Sequence, residues 1–268
     1  VSNKHELVIV GTGEGVLFGL STRSGKVIWS KTFPAELESF GSIAALNSGE
    51  EIALLSSRDG TFYAISTEEG KIVWQVELGS ESRAAPIVTP EGVLVATAQS
   101  ELVLLHTENG KRIWSKRRTQ PSSMTVLGHS RPLVADGNVY LGFADGYVAA
   151  YVLATGKQIW AMPAGLGQGR FLDVDTDPVI IDGKLVVASY TSGLMAMDPA
   201  DGKPLWQQKA SGINRLVADG KRLFAGSGDG LVWRLNPENG NVVYRVRVEA
   251  GPVSRMTLKG NLLIFAGG

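Results

Sequence analysis

Six stretches of this chain are variants of one another, and that recurrence restricts the fold more than any single residue does. "EGVLFGLSTRSGKVIW" (14–29) returns as "DGTFYAISTEEGKIVW" (59–74), "SELVLLHTENGKRIW" (100–114) and "DGYVAAYVLATGKQIW" (145–160). It appears twice more, as "SGLMAMDPADGKPLW" (192–206) and "DGLVWRLNPENGNVVY" (229–244). The closing aromatics Trp29, Trp74, Trp114, Trp160, Trp206 and Tyr244 are spaced 45, 40, 46, 46 and 38 residues apart. A period of this length marks a repeat architecture in which each unit buries its apolar surface against its neighbours.

Each unit reads as strands. Runs such as "LVWRL" and "TFYAI" are short and β-prone, and the "ENG" or "TGK" that follows supplies a tight turn. A further hairpin lies upstream, turning at Asp136–Gly137 in one unit and at Asp182–Gly183 in the next. Four short strands per unit of about 43 residues match a propeller blade, and radial closure answers the problem of open sheet edges. The expected fold is therefore all-β: a β-propeller of four-stranded antiparallel blades, forming a single domain over 1–268. The six aromatics are expected to pack between blades. "HELVIVGTGEG" begins inside a blade and "VSRMTLKGNLLIFAGG" supplies two strands of another. The sequence thus predicts six complete repeats with a partial blade at each end, from a parent of seven or eight blades.

Composition narrows the chemistry. The 268 residues carry equal numbers of acidic and basic side chains, so no global field draws the protein to nucleic acid or anionic lipid. Cysteine is absent, which removes disulfides, thiolate metal sites and cysteine nucleophiles. No apolar run approaches the length of a membrane-spanning helix. His5, His106 and His129 are scattered, without a metal-binding pair or a neighbouring serine nucleophile of plausible geometry, and no cofactor is expected. The basic run "KRIWSKRRTQ" (111–120) reads as a solvated edge strand whose charges block edge-to-edge pairing.

The repeat resembles those of quinoprotein dehydrogenases and their non-enzymatic relatives. Two further segments, "SMTVLGHSRPLVADG" (123–137) and "GRFLDVDTDPVIIDGKLVVASYTSGLMAMD" (169–198), resemble the signature loops of the BamB family. These are periplasmic lipoprotein propellers of the outer-membrane β-barrel assembly machinery. The resemblance implies a non-catalytic scaffold, bound to the periplasmic POTRA domains of BamA and assisting the assembly of outer-membrane proteins, with unfolded clients as further partners. It also implies a periplasmic location at the outer membrane, held by a lipid anchor outside this chain. By motif, Met124 and Val126 take the apolar contact positions, Asp173 and Asp175 the acidic ones, and Leu127 stands where some relatives have arginine. A quinoprotein dehydrogenase fragment is the alternative, although such enzymes are longer and carry a vicinal cysteine pair. A generic protein-binding propeller is another.

The aspartates of "DVDTDP" admit other chemistry. Counting Asp173 as the first position of a calcium loop puts Pro178 sixth, where a glycine turn is needed, and Lys184 twelfth, where a bidentate glutamate is needed. An extended stretch would place alternate carboxylates about 6.6 Å apart, within the range of an inverting glycosidase pair. Any such spacing in a strand does the same, and no set of sugar-binding aromatics accompanies it. Asp177, preceding Pro178, is expected to shape the turn. Asp173 and Asp175 are the expected partner contacts, and Arg170 can either brace Asp173 or reach the partner.

Overall fold

The structure, a computed structural model, describes residues 6–82, 84–118, 130–165, 174, 176–249 and 251–267. Among these residues every regular element is a β-strand, and contacts divide the chain into two compact units, 1–119 and 120–268.

The first unit opens with a three-stranded sheet of β1 (Leu7–Gly11), β2 (Val16–Ser21) and β3 (Val27–Thr32). A four-stranded sheet follows, built from β4 (Leu37–Ala45), β5 (Glu51–Ser57), β6 (Thr61–Ser66) and β7 (Ile72–Glu77). The next contains β8 (Ile87–Thr89), β9 (Gly92–Ala96), β10 (Glu101–Leu105) and β11 (Arg112–Arg117). In the second unit come β12 (Leu133–Ala135), β13 (Asn138–Gly142), β14 (Tyr147–Val152) and β15 (Gln158–Pro163). They precede β16 (Val179–Ile181), β17 (Lys184–Ser189), β18 (Gly193–Met197) and β19 (Pro204–Gln208). The last four-stranded sheet is β20 (Ile213–Ala218), β21 (Leu223–Ser227), β22 (Leu231–Leu235) and β23 (Val242–Arg247), with the hairpin β24 (Val253–Lys259) and β25 (Leu262–Gly267) beyond it.

Every sheet is an antiparallel meander in chain order, which is the blade of a β-propeller. The first of the six repeats and the N-terminal partial blade are one object, β1–β3; the other five repeats sit in complete four-stranded blades. Two-residue turns are set as their chemistry requires: Asp136 and Gly137 have φ of 50° and 72°, and Asp182 and Gly183 have 50° and 69°. Positive φ at both central residues gives a turn whose twist suits a hairpin, and Asp and Gly are among the residues that tolerate it.

The inner strands are apolar almost without interruption because both of their faces are covered. In β17, Leu185 and Val187 join a core with Tyr140, Val148 and Trp160 of the preceding blade. Val186 and Ala188, pointing the other way, join Leu216, Leu223 and Ala225 of the following one. Alternate side chains of one strand thus serve two cores, as the two-residue period of a strand dictates. Complete burial of a residue such as Leu185 contributes about 1.5–3 kcal/mol.

Candidate functional site

The tryptophans provide the first non-local geometry. The indole Nε1 of Trp29 donates to Thr67 O at 2.9 Å, and that of Trp74 to Thr107 O at 2.8 Å. In the second unit Trp160 donates to Pro199 O and Trp206 to Pro237 O, both at 2.9 Å. Each acceptor lies in the turn between the third and fourth strands of the next blade. Three residues later in that turn is a glycine on which the ring rests: a Cβ built at Gly70, Gly110, Gly202 or Gly240 would fall 2.4–2.6 Å from the indole Cε3. Trp114 is buried, whereas Tyr244 is 51% exposed.

The loops that carry the expected partner contacts are described only at their exits. Met124, Val126, Leu127, Arg170, Asp173 and Asp175 lie outside the described residues, as do His5 and His129. Both exits are anchored in the same way. The hydroxyl of Ser130 accepts from Gly142 N at 3.0 Å and donates to Gly142 O at 3.2 Å. One repeat later, Thr176 Oγ1 accepts from Ala188 N at 2.9 Å and donates to Ala188 O at 3.2 Å. These buried hydroxyls prolong the pairing of the short first strands β12 and β16 by one rung. Val174, between the two acidic positions, is fully buried, and its N–H donates to Phe143 O at 3.2 Å. A Cβ at Gly142 would strike Val174 Cγ1 at 2.4 Å, so that glycine makes room for the valine.

The exits also meet each other. Asp177 Oδ1 accepts the backbone N–H of Arg131 at 2.7 Å. The carboxylate that the sequence assigns to turn geometry reaches the neighbouring blade, 46 residues away, and holds the roots of the two loops together. Val174, Ser130 and Thr176 escaped the sequence reading because a small hydroxyl or a valine in a loop has no local pattern to mark it. Only superposing the repeats, with Ser130 and Gly142 set over Thr176 and Ala188, would have found them.

One member of this series departs from it. Asn214 occupies the place of Ser130 and Thr176, and its buried Oδ1 has no hydrogen-bond partner among the described residues. Its counterpart in the final hairpin, Ser254, donates to Ala266 O at 3.1 Å. Elsewhere, Glu101 is buried between Arg112 and Arg117 at 3.7 and 3.3 Å, which neutralises part of the basic run on the edge strand β11. No group of acidic or imidazole side chains among the described residues has the arrangement of a metal site.

Comparison with known proteins settles the family. The profile described as outer membrane protein assembly factor BamB matches residues 14–246. The chain belongs to the BamB family. Outer membrane protein assembly factor BamB of Vibrio cholerae is 37% identical over 226 residues, covering 82% of this chain and 58% of the relative. The Yersinia pestis BamB is 28% identical over 155 residues, covering 56% of this chain and 39% of that one. This BamB-family chain therefore spans less than two thirds of the length of either relative. Among solved structures, BamB from Moraxella catarrhalis aligns over 97% of this chain and 90% of its own with a TM-score of 0.63 and 22% identity. Sqt1 of Saccharomyces cerevisiae aligns over 99% of this chain and 79% of its own with a TM-score of 0.76 and 13% identity. At these identities the structural likeness speaks to the blades, and the family assignment rests on the sequence profile.

Proposed function

We propose that the chain is part of a non-catalytic scaffold for outer-membrane protein assembly, bound to the periplasmic POTRA domains of BamA through the loops 123–131 and 169–177. In this reading it works at the periplasmic face of the outer membrane, where a lipid anchor on the longer protein holds it. Unfolded outer-membrane proteins are its further clients.

The observation that carries the reading is the bond from Arg131 N–H to Asp177. Two loops that a scaffold would present to one partner start from roots fixed to each other, while Ser130 and Thr176 fix each root to its own blade. Met124, Val126 and Leu127 then contribute apolar contact area, and Asp173 and Asp175 meet a basic surface of the partner. Charges at the rim of such an interface set orientation and association rate more than affinity, and desolvated ones contribute more. Membership of a family described as outer membrane protein assembly factor supports the partner class.

The test is calorimetric titration of the chain with the purified periplasmic domains of BamA. Asp173→Ala combined with Asp175→Ala is expected to weaken binding at unchanged circular dichroism. Equal affinity for the wild type and the double variant would refute the assignment of these loops. Co-purification from envelope extracts tests the partner itself, and recovery of the chain without BamA would count against it.

A further inference from the structure

Asparagine is followed by glycine at two places in the chain, Asn109–Gly110 and Asn239–Gly240. The first lies in the turn between β10 and β11, the second in the turn between β22 and β23. Both glycines are seats for a tryptophan of the preceding blade, Trp74 on Gly110 and Trp206 on Gly240. Other repeats hold Ser24, Glu69, Thr155 or Asp201 at the asparagine's position, so the turn does not need an amide there.

Asparagine before glycine is prone to deamidation. The glycine nitrogen attacks the side-chain Cγ and gives its proton to solvent base; the N–Cγ bond forms, the Cγ–Nδ2 bond breaks and ammonia leaves. Water then opens the cyclic imide, at Cγ to leave aspartate or at the main-chain carbonyl to leave isoaspartate. Glycine favours the first step because no Cβ shields its nitrogen and its backbone turns freely.

In both turns the reacting groups are already engaged elsewhere. Gly110 N–H donates to His106 O at 2.9 Å, and Gly240 N–H donates to Asn236 O at 2.8 Å. The amide oxygens are fixed as well: Asn109 Oδ1 accepts from Lys111 N and Asn239 Oδ1 from Asn241 N, both at 3.0 Å. That is the local side-chain turn that asparagine makes with the backbone two residues on. The asparagines are exposed to water, whereas the glycines are buried. Water is therefore at hand, and what restrains the reaction is the turn with the ring over it.

We infer that Asn109 and Asn239 are modification sites whose deamidation is gated by the tryptophan seats: it proceeds when a turn opens and the ring leaves its glycine. Local openings of this kind occur at lower free energy than global unfolding. Isoaspartate adds one carbon to the main chain between the glycine and the carbonyl that receives the indole N–H, Thr107 O for Trp74 and Pro237 O for Trp206. Carbonyl and glycine then no longer meet one ring together. A seat that opens long enough to react cannot close as before, and the modified turn records the opening.

The experiment is peptide mapping of the full chain aged in mildly alkaline buffer, which separates asparagine, aspartate and isoaspartate at each site. The wild type, folded and in urea, is compared with Trp74→Ala, Trp206→Ala and Trp206→Phe, with circular dichroism to check the fold. Trp206→Ala should react about tenfold faster at Asn239 and at the wild-type rate at Asn109, and Trp74→Ala should do the reverse. Trp206→Phe keeps a ring but loses the N–H bonded to Pro237 O. It should speed Asn239 about threefold, the worth of one hydrogen bond, and it serves as the test if the alanine variant does not fold. Equal rates at both sites in the folded wild type and in urea overturn the gating. An Asn239 rate unchanged in folded Trp206→Phe and Trp206→Ala overturns the part given to the ring. Parallel acceleration of both sites in folded Trp206→Phe overturns it as well, because the opening is then global.

Discussion

Trp160 of one blade and Gly202 of the next are a matched pair: the indole lies where a Cβ on the glycine would sit, 2.6 Å from Cε3, and its N–H is bonded to Pro199 O in the same turn. Gly202 also has φ of 74°. The glycine is required twice, for the turn and for the ring.

That double requirement predicts non-additive mutations. Trp160→Ala should cost about 3–5 kcal/mol, as large buried aromatics do, and Gly202→Ala about 1–3 kcal/mol from overpacking together with backbone strain. With the ring already gone, the added methyl meets no indole, so the double variant should cost less than the sum. Urea unfolding of the four proteins measures this as a coupling energy, and simple additivity would show that the two residues do not share a contact.

Asp177→Ala removes the acceptor for Arg131 N–H and should lower stability by about 0.5–1.5 kcal/mol, the net worth of one hydrogen bond. Asp177→Asn keeps an oxygen in place and should retain most of that stability. If asparagine is as damaging as alanine in urea titrations, the carboxylate acts through its charge and not through this bond.

Asn214→Ser replaces a buried, unpartnered amide oxygen by the hydroxyl that its counterpart Ser254 uses to reach Ala266 O. The substitution should raise stability by about 1 kcal/mol, since an unmet buried acceptor costs roughly that much or more. A lower melting temperature would mean that Asn214 contributes packing that the repeat alignment hides.

Asp219 carries a pH signature. Arg222 bonds its side chain, and the backbone N–H groups of Lys221 and Arg222 add further donors, bringing its pKa from 3.8 down to about 2. The folded-state value is the depressed one, so its stabilisation is complete above pH 3.8 and is lost as the pH falls through about 2. The stability gap between the wild type and Asp219→Asn should accordingly narrow across that window and vanish below it. A gap constant from pH 5 to pH 2 would show that the ion pair contributes nothing that titrates. Arg222 also bonds Gly260 O and Asn261 Oδ1 in the next hairpin turn, so the loss should loosen that hairpin first.

The sequence discloses the period, the strands and the hairpin turns because each is written in adjacent residues: Asp136–Gly137 can hardly be anything but a tight turn. It leaves silent whatever joins one repeat to the next. Gly202 is legible as a turn residue, but its contact with Trp160 depends on how two blades stack. Asp177 is legible through Pro178 next to it, while its partner Arg131 lies 46 residues earlier. Local chemistry determines the blade, and contacts at the length of one repeat determine the assembly.

The tryptophan clasp has a direction in time. Each indole is made 31–39 residues before the carbonyl that receives its N–H. A chain emerging from its N-terminus therefore exposes each of these four rings unfastened until the next blade's last turn arrives. A stall between one of these four tryptophans and its acceptor leaves an apolar ring without its seat, which marks where growth stopped.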